Sequence, residues 1–302
     1  MNREELVLPE INPNFETKEL LGGEDEYRAI RNAVHYSDLK HMIKSPHAFM
    51  WNLKNRKPAT PTMKFGVMAH KAILEGKDFL DEYIVEPIFK GLTIDGKETT
   101  SANAKSVQAA KSEWYSQLSP IQKVITQDEY DKLGFMMESL LSHKFVQEIF
   151  KAGRPEVRGQ FLDPASQIGV TYANDFLTFD CHTWVDLKTC ASSDAHDFRR
   201  SVEKLRYDLQ AAIYIKGTSA VYKKEPKEKV WIALENVAPY ECRVHYIDPY
   251  YEESGAYEFR ECMTKLKHCL KEKKWPQGQA AVEMLEPTAW HRSYYDLRIN
   301  QG

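Results

Sequence analysis

The sequence has no CxxC pair, no long apolar run, no internal repeat and no marked excess of either charge. Each absence excludes something. The five cysteines (Cys181, Cys190, Cys242, Cys262 and Cys269) are an odd number without the spacing of a thiolate zinc site or a disulfide framework, which fits a reducing compartment. No apolar stretch approaches the roughly 18 residues of a membrane span, and MNREELVLPEINPNF lacks the apolar centre of a secretion signal. A soluble, cytoplasmic protein is expected. Balancing 41 Lys+Arg against 44 Asp+Glu gives a net charge of -3, which excludes a protein that grips nucleic acid by bulk charge alone. Core-forming material is plentiful: 302 residues, 42% hydrophobic and 12% aromatic, fill one large or two ordinary domains and argue against disorder.

The chain divides by pattern into an acidic arm, 1–30, and a single domain, 31–302, with a helical front section to about 152 and a strand-rich section from about 153. The arm carries LLGGEDE and shows little periodicity up to Glu26, so it reads as an arm or loop. In the front section Ser37 is expected to cap a short helix, and Ser45 with Pro46 to open a second. A third over Lys64–Glu75 is expected to end at Gly76, a mobile polar loop to span Lys90–Ser101, and helices to cover Ala102–Gln117 and Gln127–Lys151. After Gly153 the apolar period becomes two. Glu156–Asp163, Gly169–Phe179 and His182–Thr189 read as strands whose short links predict an antiparallel meander. One helix over His196–Lys216 follows, with Phe198, Val202, Leu205, Leu209 and Ala212 as a stripe facing the sheet. Strands over Lys229–Val237 and Glu241–Ile247 and a helix over Tyr250–Lys273 complete the order. The predicted fold is α/β (α+β mixed sheet), a central mixed sheet flanked by helices, with the helical front section packed on it.

Several strand positions carry charge where a core should be apolar. In VDLKT, Asp186 and Lys188 share a face with Trp184, while Val185, Leu187 and Thr189 take the other. Asp175 sits among Phe176, Leu177 and Phe179, an expensive place for an unpaired carboxylate, and in the strand before it Glu156, Arg158 and Gln160 share a face. If the three strands are neighbours, two or three carboxylates and one ammonium converge. Carboxylates forced together need a cation, and oxygen donors suit Mg²⁺ or Mn²⁺. Taken singly, each feature has an ordinary reading. Asp-x-Lys on a strand is commonly a solvated ion pair worth under about 1 kcal/mol. His70, on the helix FGVMAHKAILEG, could be a satisfied core histidine, and Gln210 with Tyr214, four apart on the helix after the strands, could be a packed, hydrogen-bonded pair.

In order, these segments resemble the PD-(D/E)XK nuclease superfamily, in its RecB-type branch, and within it the RecE-like exonucleases (exonuclease VIII type) of phages and prophages. The resemblance runs from about Val34 to Trp290: a GxxxH…LE helix (Gly66, His70, Glu75), a strand with the first acid (Asp175), the acid-x-Lys strand (Asp186, Lys188), and a QxxxY helix (Gln210, Tyr214). It departs at one point, because relatives commonly carry a basic residue two before the first acid and this chain has Ala173. The resemblance implies that His70, Asp175, Asp186 and the Leu187 carbonyl hold one or two Mg²⁺ (or Mn²⁺) ions. Lys188 would orient the attacking water and stabilise charge on the phosphate, and Glu156 would be a further acid at or behind the metal site. Gln210 and Tyr214 would shape the site or touch the strand. The implied activity is processive 5'→3' digestion of linear double-stranded DNA in recombination, by a homo-oligomer, such as a ring-shaped tetramer, working with a single-strand annealing recombinase.

Phosphate contacts are expected first from Arg199, Arg200, Lys204 and Arg206, with further clusters at Lys223–Lys229 and Lys265–Lys274, although such runs are often plain solvated helix faces. Three alternatives stand beside this reading. Ala173 makes a catalytically impaired DNA-binding or assembly subunit thinkable. A Cas4-type nuclease would need four cysteine ligands including one near the N-terminus, and no cysteine precedes Cys181. A restriction-type nuclease would need a base-recognition element, and none is legible.

Overall fold

The computed structural model describes residues 6–278 and 284–299. The front section holds α1 (Gly23–Ala29), α2 (Tyr36–Leu39), a 3-10 turn (Lys40–Ile43), α3 (Pro46–Lys54), α4 (Pro61–Leu74), α5 (Gly76–Glu82), α6 (Lys105–Ser116), α7 (Gln127–Ser142) and α8 (Lys144–Lys151). Its strands are short: β1 (Lys18–Glu19), β2 (Tyr83–Val85), β3 (Gly91–Leu92), β4 (Glu98–Thr99) and β5 (Lys123–Ile125). Beyond it come β6 (Gly153–Asp163), β7 (Ile168–Thr178), β8 (Thr183–Cys190), α9 (Ala195–Leu205), α10 (Tyr207–Tyr222), β9 (Glu228–Glu235), β10 (Cys242–Tyr246), α11 (Pro249–Glu272) and α12 (Ala289–Ile299). Among the described residues no helix is long and apolar enough to cross a membrane.

The main sheet runs β1-β6-β7-β8-β9-β10. The meander β6-β7-β8 is antiparallel as expected, and β9 returns parallel to β8 after the α9–α10 crossover, so the sheet is mixed. Alternation along the strands feeds two cores. On one face Tyr172, Trp184 and Phe161 pack with Phe49, Leu209 and Phe259 from α3, α10 and α11. On the other, Val185, Leu187 and Ile232 pack with Met68, Ala72, Met136 and Leu140 from α4 and α7.

Several local expectations are corrected. The arm is not shapeless: β1 pairs with the β6 edge at Lys18↔Gln160 and Glu19↔Gly159, and Glu19 is clasped by Arg154 and Tyr222, while Met1–Glu5 lie outside the described residues. A two-residue strand is too short to show a period, and its order comes from the edge it covers. The first short helix opens on His35, not Ser37, because Tyr36 is already anchored by its hydroxyl to the Leu205 carbonyl at 2.6 Å. Gly76 starts α5 instead of ending α4, and Lys90–Ser101 contains the β3–β4 hairpin with Gly96 at φ +76 in its turn. The helix expected over Gln127–Lys151 breaks at His143, which caps α8 in extended backbone.

The single helix expected over His196–Lys216 is two, α9 and α10, separated by Arg206 in the left-handed region (φ 60, ψ 45). Periodicity is blind to a one-residue break when both pieces lie on one core, and Leu205, counted in the stripe, points outward instead. The break is pinned by charge. The Arg206 guanidinium donates to both oxygens of the nearly buried Asp208 and to Glu258 of α11, each at 3.0 Å. Removing one member of such a network strands the other inside. Arg206→Ala is expected to cost on the order of 2–3 kcal/mol, read as a lower urea midpoint, with Arg206→Lys recovering only part because an ammonium cannot make the paired contact.

Candidate active site

β7 and β8 pair only at Phe176↔Val185 and Leu177↔Trp184. One step further the register sets Asp175 across from Asp186, and there the ladder stops. In the gap, the Leu187 N–H donates to Asp175 Oδ2 at 2.7 Å instead of to a main-chain carbonyl. An extended residue directs its N–H and C=O to the same edge, so the Leu187 carbonyl faces this gap as well. The strand also changes phase here. Tyr172 and Leu177 belong to one core although five residues separate them, whereas Phe176 belongs to the other. The reset lies level with Asp175 and with Glu156 of β6, which has φ 54. A left-handed glutamate in a strand is a costly conformation of the kind that collects at functional sites. Arg158 still pairs with Glu156, and both Arg158 and Gln160 meet the arm, at Glu24 and at the Glu16 carbonyl, while Val157 and Phe161 turn into the core.

His70 arrives from the opposite layer. Ala69 and Ala72 bury the inner face of α4, and a Cβ on Gly66 would lie 3.3 Å from Thr189 Oγ1, so the glycine lets α4 settle close on β8. This brings His70 Nδ1 to 3.5 Å from Asp175 Oδ1. Lys188 Nζ lies 2.6 Å from Asp186 Oδ2 and 4.6 Å over the Tyr207 ring. The lysine contact is an ion pair without hydrogen-bond alignment, because neither oxygen of Asp186, 1% exposed, has a hydrogen-bond partner.

Burial and crowding perturb every group. Burial pushes the Asp186 carboxyl up to about 6, against the pull of Lys188 and with the help of Asp175. Burial likewise raises Glu156 to about 7, reinforced by Asp175 and opposed by Arg158. For Asp175 burial works upward too, but His70, Lys188 and the Leu187 amide outweigh it and hold the carboxyl below its usual range. Burial would lower Lys188 and His70, yet the carboxylates leave both raised, Asp186 and Asp175 acting on Lys188 and Asp175 on His70.

His70, Glu156, Asp175, Asp186, Leu187 and Lys188 are thus brought together. Gln210 and Tyr214 stand at the edge of this group: the buried Tyr214, one turn after Gln210 on α10, feels the charge of Asp186 and meets Tyr36 edge-on at 6.5 Å, so the pair is part of a wall. Tyr36 and Tyr207 complete that wall, and the sequence offered no sign of either beyond their place beside motif residues. A guanidinium lies across from Ala173 on the neighbouring strand. Arg158 is the register partner of Ala173, is 11% exposed, and pairs with Glu156 and, at 2.9 Å, with Glu24 of α1. Of the expected phosphate contacts, Arg199, Arg200 and Lys204 are exposed on α9, while Arg206 is committed to Asp208 and Glu258. In the Lys223–Lys229 cluster, Lys229 is 10% exposed and paired with Glu225 and Glu252.

A PDDEXK-like domain of unknown function (DUF3799) matches residues 35–288. The chain belongs to this PDDEXK-like family. Its fold resembles the crystal structure of a "Putative exonuclease" from Eubacterium rectale, with a TM-score of 0.51 and 11% identity over 88% of this chain and 92% of that one. A comparison with curated proteins returns no match. Nucleases of the PDDEXK type generally use divalent metal ions. The residues here fit one: the buried Asp186 carboxylate, met by the Lys188 ammonium at one oxygen, stands beside a second carboxylate and an imidazole, a donor set that a hard cation would complete. The donors are gathered but not closed, since among the described residues no three His, Cys, Asp or Glu side chains already form a cage. Mg²⁺ or Mn²⁺ at about ten times its Kd should stabilise the protein by about 1.4 kcal/mol, seen as a melting temperature a few degrees higher. Asp175→Asn and Asp186→Asn should each abolish that rise, and an undiminished shift in both would place the ion elsewhere.

Proposed function

We propose that this protein is a divalent-metal-dependent nuclease that hydrolyses DNA phosphodiester bonds, and more specifically a RecE-like exonuclease acting on the ends of linear double-stranded DNA. The observation that carries the reading is the meeting of Asp175, Asp186 and Lys188 where β7 and β8 separate, with His70 closing the group from α4. Bound by His70, Asp175, Asp186 and the Leu187 carbonyl, one or two Mg²⁺ or Mn²⁺ ions would supply Lewis-acid polarisation of the phosphodiester and charge stabilisation for the leaving oxygen.

The chain's own groups do the rest. Lys188, kept protonated by its two carboxylate neighbours, donates to the attacking water and offsets the charge that develops on the phosphate. Tyr207 under its ammonium fixes its direction. The Leu187 amide holds Asp175 at a set angle, and the tyrosine wall with Gln210 keeps bulk water from one side. Glu156 stands beside Asp175 as a further acid, held by Arg158.

Digestion in the 5'→3' sense, processivity, a single-strand annealing recombinase as partner and a homo-oligomer are proposed on the RecE-like motif order, and work in the cytoplasm on the odd, unspaced cysteines. Arg158 across from Ala173 supports the catalytic reading over that of an impaired DNA-binding subunit, since the basic group is present by another route. Linear duplexes labelled at the 5' or 3' end, and circular duplex, each incubated with protein and Mg²⁺, test the proposal. The 5' label should be released from linear DNA and circular DNA spared, and Lys188→Ala should lower the rate by about 10²- to 10³-fold while retaining the metal-induced rise in melting temperature. Binding without digestion would instead make the protein a non-catalytic subunit.

A further inference from the structure

Among the described residues the wall of tyrosines carries two ammonium groups, and only one of them has a carboxylate within ion-pair distance. Lys188 lies over Tyr207 and is paired with Asp186. Lys40, from the 3-10 turn that follows α2, lies 5.3 Å over the ring of Tyr36, one helical turn before it. Tyr36 is not a loose platform: its hydroxyl donates to the Leu205 carbonyl at 2.6 Å, and its ring meets Tyr214 of α10. The Lys40 ammonium is therefore held at a defined place on the same wall, near enough to Lys188 for the two charges to repel.

Among the described residues no Asp or Glu oxygen lies within 4.0 Å of Lys40. Asp38, the acid whose charge reaches it, is held by Arg56 at 3.0 Å. Partial burial without an acidic partner costs hydration that nothing in the chain returns. Burial and Lys188 both disfavour the charged form, and only Asp38 favours it. A cation kept half-dry beside a phosphodiester-cleaving site, pointed by an aromatic ring and left without a counter-charge, lacks an anion. The anion that this site brings close is the backbone of a nucleic acid strand.

Resting on the nuclease reading above, we propose that Lys40 is a substrate-contacting residue that binds the backbone phosphate flanking the scissile one, so that Tyr36, Tyr207 and Tyr214 form the floor on which two successive phosphates are held by Lys40 and Lys188.

The test is the salt dependence of binding. A fluorescein-labelled linear duplex is titrated with the full-length protein in Ca²⁺ in place of Mg²⁺, followed by anisotropy, at several salt concentrations. Lys40→Met, which keeps the apolar stem on Tyr36, should weaken binding about 3- to 10-fold and reduce the slope of log Kobs against log salt by about one. Lys40→Arg should restore the slope. In the Mg²⁺ assay Lys40→Met should raise KM more than it lowers kcat, at a melting temperature equal to or above that of the wild type, since the variant removes a charge that burial disfavours. Should Lys40→Met not fold, Lys40→Gln against Lys40→Arg carries the same comparison. Wild-type protein that binds and cleaves, with an unchanged slope and affinity in the lysine variants, overturns the Lys40 contact alone. Wild-type protein that neither binds nor cleaves overturns the nuclease reading and the contact with it.

Discussion

Asp175 and Asp186 face each other across the point where β7 and β8 part, and much of the molecule is arranged around keeping two carboxylates there. Burial first, and the neighbouring Asp175 charge after it, push the Asp186 carboxyl toward its protonated form. The surrounding groups answer in kind. Lys188 comes from the same strand as Asp186, two residues on, and therefore cannot fail to reach it. His70 comes from α4, whose small inner residues let it lie tightly on β8. The Leu187 amide replaces the lost ladder bond by bonding to Asp175. One ammonium and one imidazole set against two buried carboxylates and the nearby Glu156 leave room for further positive charge, and a divalent cation would complete the group.

The same economy appears further out. Many cations that look free in the sequence are committed: Arg206 to the α9–α10 break and α11, Arg154 to the β1 edge, Lys229 to the start of α11, Lys216 to Asp163. The net charge of -3 thus averages over pairs already made, a carboxylate group at the site and a smaller set of exposed bases. Of those bases, Arg199, Arg200 and Lys204 stand on α9, beside Tyr207 through Phe198. The N-terminal arm is drawn into the same system, since Glu24 of α1 pairs with Arg158 behind Glu156, so a segment without periodicity still buttresses the site.

Much of this was legible in the chain. The change of period at Gly153, the short links between three strands and the longer return to a fourth specify a mixed sheet, because a two-residue side-chain period and connection length constrain pairing directly. Asp186 and Lys188 were legible as one site because alternation fixes their shared face. Other features were hidden for stateable reasons. The break at Arg206 leaves the apolar spacing intact, so only its left-handed backbone reveals it. Arg158, the basic residue across from Ala173, sits fifteen residues earlier in the chain and becomes a neighbour only through the β6–β7 register.

The sequence by itself determined which groups could do chemistry and which strands would carry them, since residue type sets charge and proton affinity, and side-chain period sets faces. Tertiary structure decided which of those groups are free to act. It parted β7 from β8 so that two acids share a gap, put Glu156 in left-handed backbone, spent Arg206 on holding helices together, and left Lys40 on Tyr36 without an acid among the described residues. The physical reason is that charge is a property of a residue, whereas its compensation depends on distance and on exclusion of water, and both of these are set by residues far away in the chain.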